Sequence, residues 1–103
     1  MTGVEMIAAE RRRQAEVEGW TAAHDDTHAR GEMALAAAVY ATPVPLFEKR
    51  ERRGVVEFAD AWPWHPRWDK REKHERLKQL AIAGALIAAE IDRLQRRAQE
   101  EGQ

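Results

Sequence analysis

The sequence predicts an all-α domain of three main helices, with an irregular Trp/Pro-rich excursion between the second and the third. Three observations lead there. Leu77, Leu80, Ala81, Gly84, Ile87, Ala88, Ile91 and Leu94 recur at helical spacing over a long C-terminal segment. The run GEMALAAAVYA at 31–41 is apolar on nearly every face, and Thr42-Pro43-Val44-Pro45 then stops it, because proline cannot continue a helix and restricts the residue before it. With 103 residues, the chain 1–103 is the size of one domain.

The first helix is expected over 2–18. Thr2 with Glu5 three residues later forms a capping box, and Gly19 supplies the left-handed stop. Its face Val4, Ile7, Arg11, Gln14, Glu18 begins apolar and ends polar, so its last two turns either leave the core or meet something polar. Within Arg11-Arg12-Arg13, Arg11 lies on that face and is expected to point inward. Residues 20–30 form a loop in which Asp26, Thr27 or His28 caps the second helix, which runs from about residue 30 to 41.

Residues 46–68 lack clear periodicity, with a short strand pair at Leu46-Phe47 and Val55–Phe58 around Arg53-Gly54 as the most that is expected. Three tryptophans in this segment argue for order. The third helix spans about 70–98. Its middle, AIAGALIAA, is apolar all round, and Gly84 with Ala88 admits a close neighbour, so the helix is sandwiched or shared in a homo-oligomer.

Composition narrows the chemistry. Net charge is -1, which gives no global basic field for nucleic acid. Neither cysteine nor serine occurs, so disulfides, thiolate metal sites and thiol or serine nucleophiles are excluded. No segment reaches the length of a membrane span, and the N-terminus has no signal-peptide core, so a cytoplasmic protein is expected. No phosphate-binding glycine loop and no nucleophile elbow occurs; no cofactor is implied and no catalytic residue is assigned.

Two stretches carry candidate chemistry. In EGWTAAHDDTHARGE (18–32), His24, Asp25, Asp26 and His28 are metal-ligand types, but their spacing matches no standard metal motif; they serve a metal, a ligand-contacting polar loop led by Trp20, or capping alone. Acidic residues from two helices, Glu32 with Glu90 and Asp92, are compatible with a magnesium-dependent nucleotide pyrophosphohydrolase, although the paired E-x-x-E and E-x-x-D of those enzymes are missing. In WPWHPRW (62–68), Trp62 and Trp64 with Lys70 are suited to stack on a base and neutralise phosphate, or to fill an alanine-rich core. Residues 67–78 carry six Lys/Arg against three Asp/Glu.

The order Glu10-Arg11-x-x-Gln14, Glu18-Gly19-Trp20-Thr21, His24-Asp25-Asp26-x-His28, Trp62-Pro63-Trp64, Trp68-x-Lys70 and AGALIAAEI resembles a family of small bacteriophage and prophage proteins, over nearly the whole chain except 42–61. The Gly-Trp and Asp-Asp order is also similar to the repeat domain of ryanodine receptors, without that family's other aromatic and proline landmarks. The phage resemblance implies an accessory protein, made in a bacterial host cell, that counters host defence by sequestering a nucleotide-derived signal or by binding a host protein. The expected site therefore joins Arg11, Gln14, Trp20, the His24–His28 loop, Trp62, Trp64 and Lys70 around a nucleotide-type small molecule, held without turnover.

Overall fold

The computed structural model describes residues 1–102. Helix α1 (Gly3–Glu16) begins at the expected capping box: the Thr2 N–H donates to Glu5 Oε1 at 2.9 Å, and the Glu5 N–H donates to Thr2 Oγ1 at 3.2 Å. It stops two residues earlier than expected, and Gly19 then turns the chain in the left-handed region at φ 74°. That turn lets the Trp20 N–H reach back to the Gln14 carbonyl at 2.9 Å. Residues 20–30 are not a plain loop. They contain a short helix α2 (Ala22–Asp26), which Thr21 caps by accepting from the His24 N–H.

Helix α3 (Glu32–Ala41) is not capped by Asp26, Thr27 or His28 as expected; Gly31, with φ 79°, occupies the N-cap without any side-chain bond. The end comes at Thr42, whose hydroxyl donates to the Ala38 carbonyl. Helix α4 (Arg76–Glu101) is the longest element. Arg76 ties its start to the end of α3 through the Tyr40 and Ala41 carbonyls.

The all-α expectation is overturned by an antiparallel hairpin, β1 (Phe47–Arg52) and β2 (Val55–Asp60), with Phe47 opposite Asp60 and Arg52 opposite Val55. Arg53 and Gly54 both have positive φ, 53° and 79°, which is the requirement of a two-residue type I′ turn whose twist matches the strands. Phe47, Val55, Val56 and Phe58 are strand formers, yet nearly every position on both strands is exposed. A sheet solvated on both faces needs no alternating burial, so its sequence carries no period-2 signal. The hairpin is joined to the body where the Ala61 N–H donates to the Leu46 carbonyl at 2.9 Å and Ala61 is buried.

The core lies between α3 and α4. Met33, Ala36, Ala37 and Tyr40 meet Ile82, Ala83, Leu86 and Ala89, with Trp20, Trp62 and Trp64 packed around the edge. Alanines on both helices bring the backbones close, so little volume is needed to fill the space. Helix α1 approaches α4 at Gly84, where an added Cβ would stand 2.5 Å from Ile7 Cδ1 and 2.6 Å from Cγ1. That close seat sets where α1 crosses, and it carries Glu10 and Gln14 inward.

The apolar middle of α4 is largely buried within the chain, through Ala81, Ile82, Ala83, Ala85 and Leu86. Leu77, Leu80, Ile87, Ile91 and Leu94 stay exposed along one side. The homo-oligomer expected from the sequence is proposed to use this stripe, which leaves a few apolar side chains per copy for a second copy to cover. Light scattering at micromolar concentration is expected to give at least twice the monomer mass; a monomeric mass counts against the pairing.

No helix is long and apolar enough to cross a membrane among the described residues.

Candidate functional site

A cavity of about 490 Å³ opens between the last turns of α1, α2 and the Trp-rich segment, with Met33, Tyr40, Ile82 and Leu86 at its base. Its volume is in the usual range for small-molecule sites. The positions follow from local structure. Gly19 turns the chain so that Trp20 bonds back to Gln14 while α2 packs against α4 with Asp25 on Arg11, and the bonds of residues 60–70 fold the indoles back onto α3. There Asp60 Oδ1 accepts from the Trp62 N–H at 2.8 Å, the Trp62 indole N–H donates to the His65 carbonyl at 3.1 Å, and the Lys70 N–H donates to Tyr40 Oη at 3.2 Å.

The aromatic rings form a continuous wall. Trp20 lies parallel to His24 with centroids 6.0 Å apart, His24 meets His28 edge-on at 5.1 Å, and His28 meets Trp64 at 5.0 Å. The wall continues from Trp64 to Trp62 at 5.3 Å and from Trp62 to Tyr40 at 5.7 Å. Burial pushes the Tyr40 hydroxyl above its ordinary pKa, so it stays a neutral donor and acceptor.

Opposite this wall, α1 presents polar groups. Glu10 is 2% exposed and accepts from Arg13 Nε and Nη2, at 3.0 and 2.8 Å, and from Lys78 Nζ. Desolvation by itself would raise its pKa; the hydrogen bonds and charges of Arg13 and Lys78 outweigh that and hold it below the ordinary value. Arg13 also binds Glu18 at 2.8 Å, and its own pKa is raised by both carboxylates. One turn on, Gln14 is 1% exposed, and neither its amide nitrogen nor its amide oxygen has a hydrogen-bond partner among the described residues. The Trp64 indole nitrogen is likewise buried and unpaired. Buried polar atoms are nearly always bonded, so these three atoms at one cavity are available to water or to a ligand.

Of the residues singled out from the sequence, Gln14, Trp20, His24, Asp25, His28, Trp62, Trp64 and Lys70 line the cavity. Arg11 and Asp26 do not. Arg11 lies behind the site, bonded to Asp25 Oδ2 at 3.1 Å and 3.8 Å from Asp92, so the arginine that reaches the cavity is Arg13. Asp26 points away, to Arg96 at 2.8 Å. Sequence reasoning missed Glu10, Arg13, Glu18, Tyr40, His65, Trp68 and His74. Helical spacing places Glu10 one turn before Gln14, a signal that was present; nothing local brings His74 to this place.

The acidic residues do not converge. Asp25 is held by Arg11, Glu32 by the Arg30 N–H and His28, and Glu90 by Arg93 Nε at 2.5 Å. Among the described residues, no three His, Asp or Glu side chains are gathered to hold a metal. The arrangement is that of a mainly helical domain with a β-hairpin and a cavity walled by aromatic rings, whose lining carboxylates are neutralised by arginine and lysine. Compared with known proteins, the chain matches no family model, no curated protein and no solved structure.

Proposed function

We propose that the protein binds a nucleotide-type small molecule in this cavity and holds it without turnover. The observation that carries this reading is Gln14, whose buried amide offers a donor and an acceptor side by side with no partner among the described residues. An amide of that kind pairs bidentately with the donor and acceptor edge of a nucleobase. The wall from Trp20 to Tyr40 supplies faces on which a base stacks, worth about 1–3 kcal/mol per base.

Electrostatics supports a negative charge on the ligand. Glu10, Glu18 and Asp25 are matched by Arg13, Lys78 and Arg11, whereas the Lys70 ammonium has no carboxylate within 4.0 Å among the described residues. An uncompensated cation beside an aromatic wall suits a phosphorylated ring compound. In a bacterial host such a protein acts as a phage-type accessory factor that sequesters a nucleotide-derived signal. A protein-binding role is the second reading, favoured by the exposed Phe47, Val56 and Phe58 on one face of the hairpin.

Calorimetric titration with linear and cyclic nucleotides, with and without EDTA, tests the first reading. Binding is expected to persist in EDTA, and chromatography is expected to return the ligand intact. A cleaved product that depends on added magnesium would replace sequestration with hydrolysis, and no heat from any nucleotide would move the function to the hairpin.

A further inference from the structure

Among the described residues the sheet consists of β1 and β2 alone, and nearly every position on them is exposed. A two-stranded sheet is marginal in water, and its outer edges carry unpaired N–H and C=O groups that invite another strand. Which groups point outward follows from the pairing. The Ala61 N–H donates to the Leu46 carbonyl at 2.9 Å, and the Arg53-Gly54 turn joins Arg52 to Val55 opposite it. Bonded and non-bonded positions alternate along an antiparallel ladder. The backbone groups of Glu48, Arg50 and Arg52 therefore face β2, whereas those of Phe47, Lys49 and Glu51 face the open edge.

A strand laid antiparallel on that edge has to set outward-facing residues against outward-facing residues. If the strand is a second copy of β1, the two-fold axis then passes through a residue. With the axis at Arg50, Lys49 stands opposite Glu51 of the second copy and Glu48 opposite Arg52, and symmetry repeats each pair. Every charged residue of β1 except Arg50 thus meets its opposite. Arg50 meets itself, but its Nη2 donates to Glu48 Oε2 at 3.2 Å within its own strand, and Glu57 lies across from it on β2. Neighbouring registers are poorer. An axis at Lys49 matches Glu48 with Arg50 but sets Lys49 against itself and Glu51 beside Phe47; an axis at Glu51 sets Arg50 against Arg52 and Glu51 against itself. The edge of β2 offers no such match, since its two charges, Glu57 and Asp60, have the same sign. A strand whose charges are matched by its own reversal, at a register the ladder allows, fits a second copy of itself.

We propose that two copies of the chain join edge to edge through β1, with Arg50 on the two-fold axis, into one antiparallel sheet of order β2-β1-β1-β2. Opposite residues share a face, so Phe47, Val56 and Phe58 of both copies fall on one side of the joined sheet. This contact is independent of the nucleotide reading, and it uses a different surface from the exposed stripe of α4.

The chain has no cysteine, so a single introduced thiol reports on its own neighbour. In a non-bonded antiparallel pair the Cα atoms are about 4.5 Å apart, within reach of a disulfide. Arg50→Cys in the full chain is expected to cross-link to a dimer under oxidised glutathione at least about tenfold faster than Glu57→Cys or Phe58→Cys, whose strand lies outside the contact. Charge exchange reads the register. In the Arg50→Cys background, Lys49→Glu alone and Glu51→Lys alone each set like charges against one another and should slow the cross-link. An equimolar mixture of the two restores both opposite pairs and should recover it as a mixed dimer, identified by mass. Without any cysteine, Lys49→Glu should lower the mass of the native particle in light scattering, whichever way α4 pairs. All the positions changed are exposed, so the variants keep the fold, which circular dichroism checks. Cross-linking at Glu57→Cys or Phe58→Cys that matches Arg50→Cys, or a rate that charge reversal leaves unchanged, overturns the inference. An Arg50→Cys chain that stays monomeric overturns it as well, and leaves the edge to a strand of another protein.

Discussion

Gln14→Leu is expected to melt several degrees above the native chain and to bind the ligand at least about tenfold more weakly. A buried amide with both polar atoms unpaired carries a desolvation cost of about 1–3 kcal/mol, and a leucine of similar size removes it. In a domain of this length 1 kcal/mol corresponds to roughly 4–8 °C in Tm. The loss of affinity has the same origin with opposite sign, because the bonds that offset desolvation form only with the ligand, and tenfold is about 1.4 kcal/mol. Scanning calorimetry and titration on the same sample check both halves. A Tm that drops on replacement would mean that the amide supports the fold, and the binding assignment of Gln14 would go with it.

Glu10→Ala is expected to cost about 2–3 kcal/mol of stability, somewhat below the range for a fully buried ion pair, because Arg13 and Lys78 are 37% and 40% exposed and can turn toward water once their partner is gone. Against a typical total of about 5–15 kcal/mol this is a large fraction. The pair also shapes acid stability. With its folded pKa below the unfolded one, Glu10 contributes stability that is fully present above the ordinary carboxylate pKa of about 4.3 and is lost as pH falls through the lower folded value. Asp69 adds to the same window: desolvation opposes the shift, but the hydrogen bonds and charge of Arg71 lower its pKa. Glu10→Gln should therefore lose less stability than the native chain between pH 5 and 3, while starting lower at pH 7. Urea midpoints across that range measure it, and parallel curves for the two proteins would refute the coupling.

Much of the fold was legible because the signals are local. Thr2 and Glu5 cap α1 by contacts within one turn, Gly19 stops it, Thr42-Pro43 ends α3, and the apolar spacing of α4 is read along a single element. The hairpin was undervalued for a reason that is also local. Its faces are both solvated, so apolar and charged residues share each side, and only the Arg53-Gly54 turn marks it. The Trp-rich segment was legible as ordered but not as a wall, since the order of its rings depends on contacts with α2 and α3.

By itself the sequence determined which chemistry is present: no thiol, no serine, four histidines, four tryptophans and nearly balanced charge. It also determined that the Gly-Trp loop and the Trp-Pro-Trp stretch are where that chemistry is concentrated. Only the tertiary structure decided which side chains meet. Ile7 seated on Gly84 fixes the rotation of α1, and a turn of 100° per residue is what separates Arg13 in the cavity from Arg11 behind it. The same packing brings His74 and Tyr40, 34 positions apart, to one opening and directs Asp26 away to Arg96. Residue type is written locally, but which way a residue faces is set by the crossing of two helices, and that crossing is a property of their packed surfaces rather than of either segment alone.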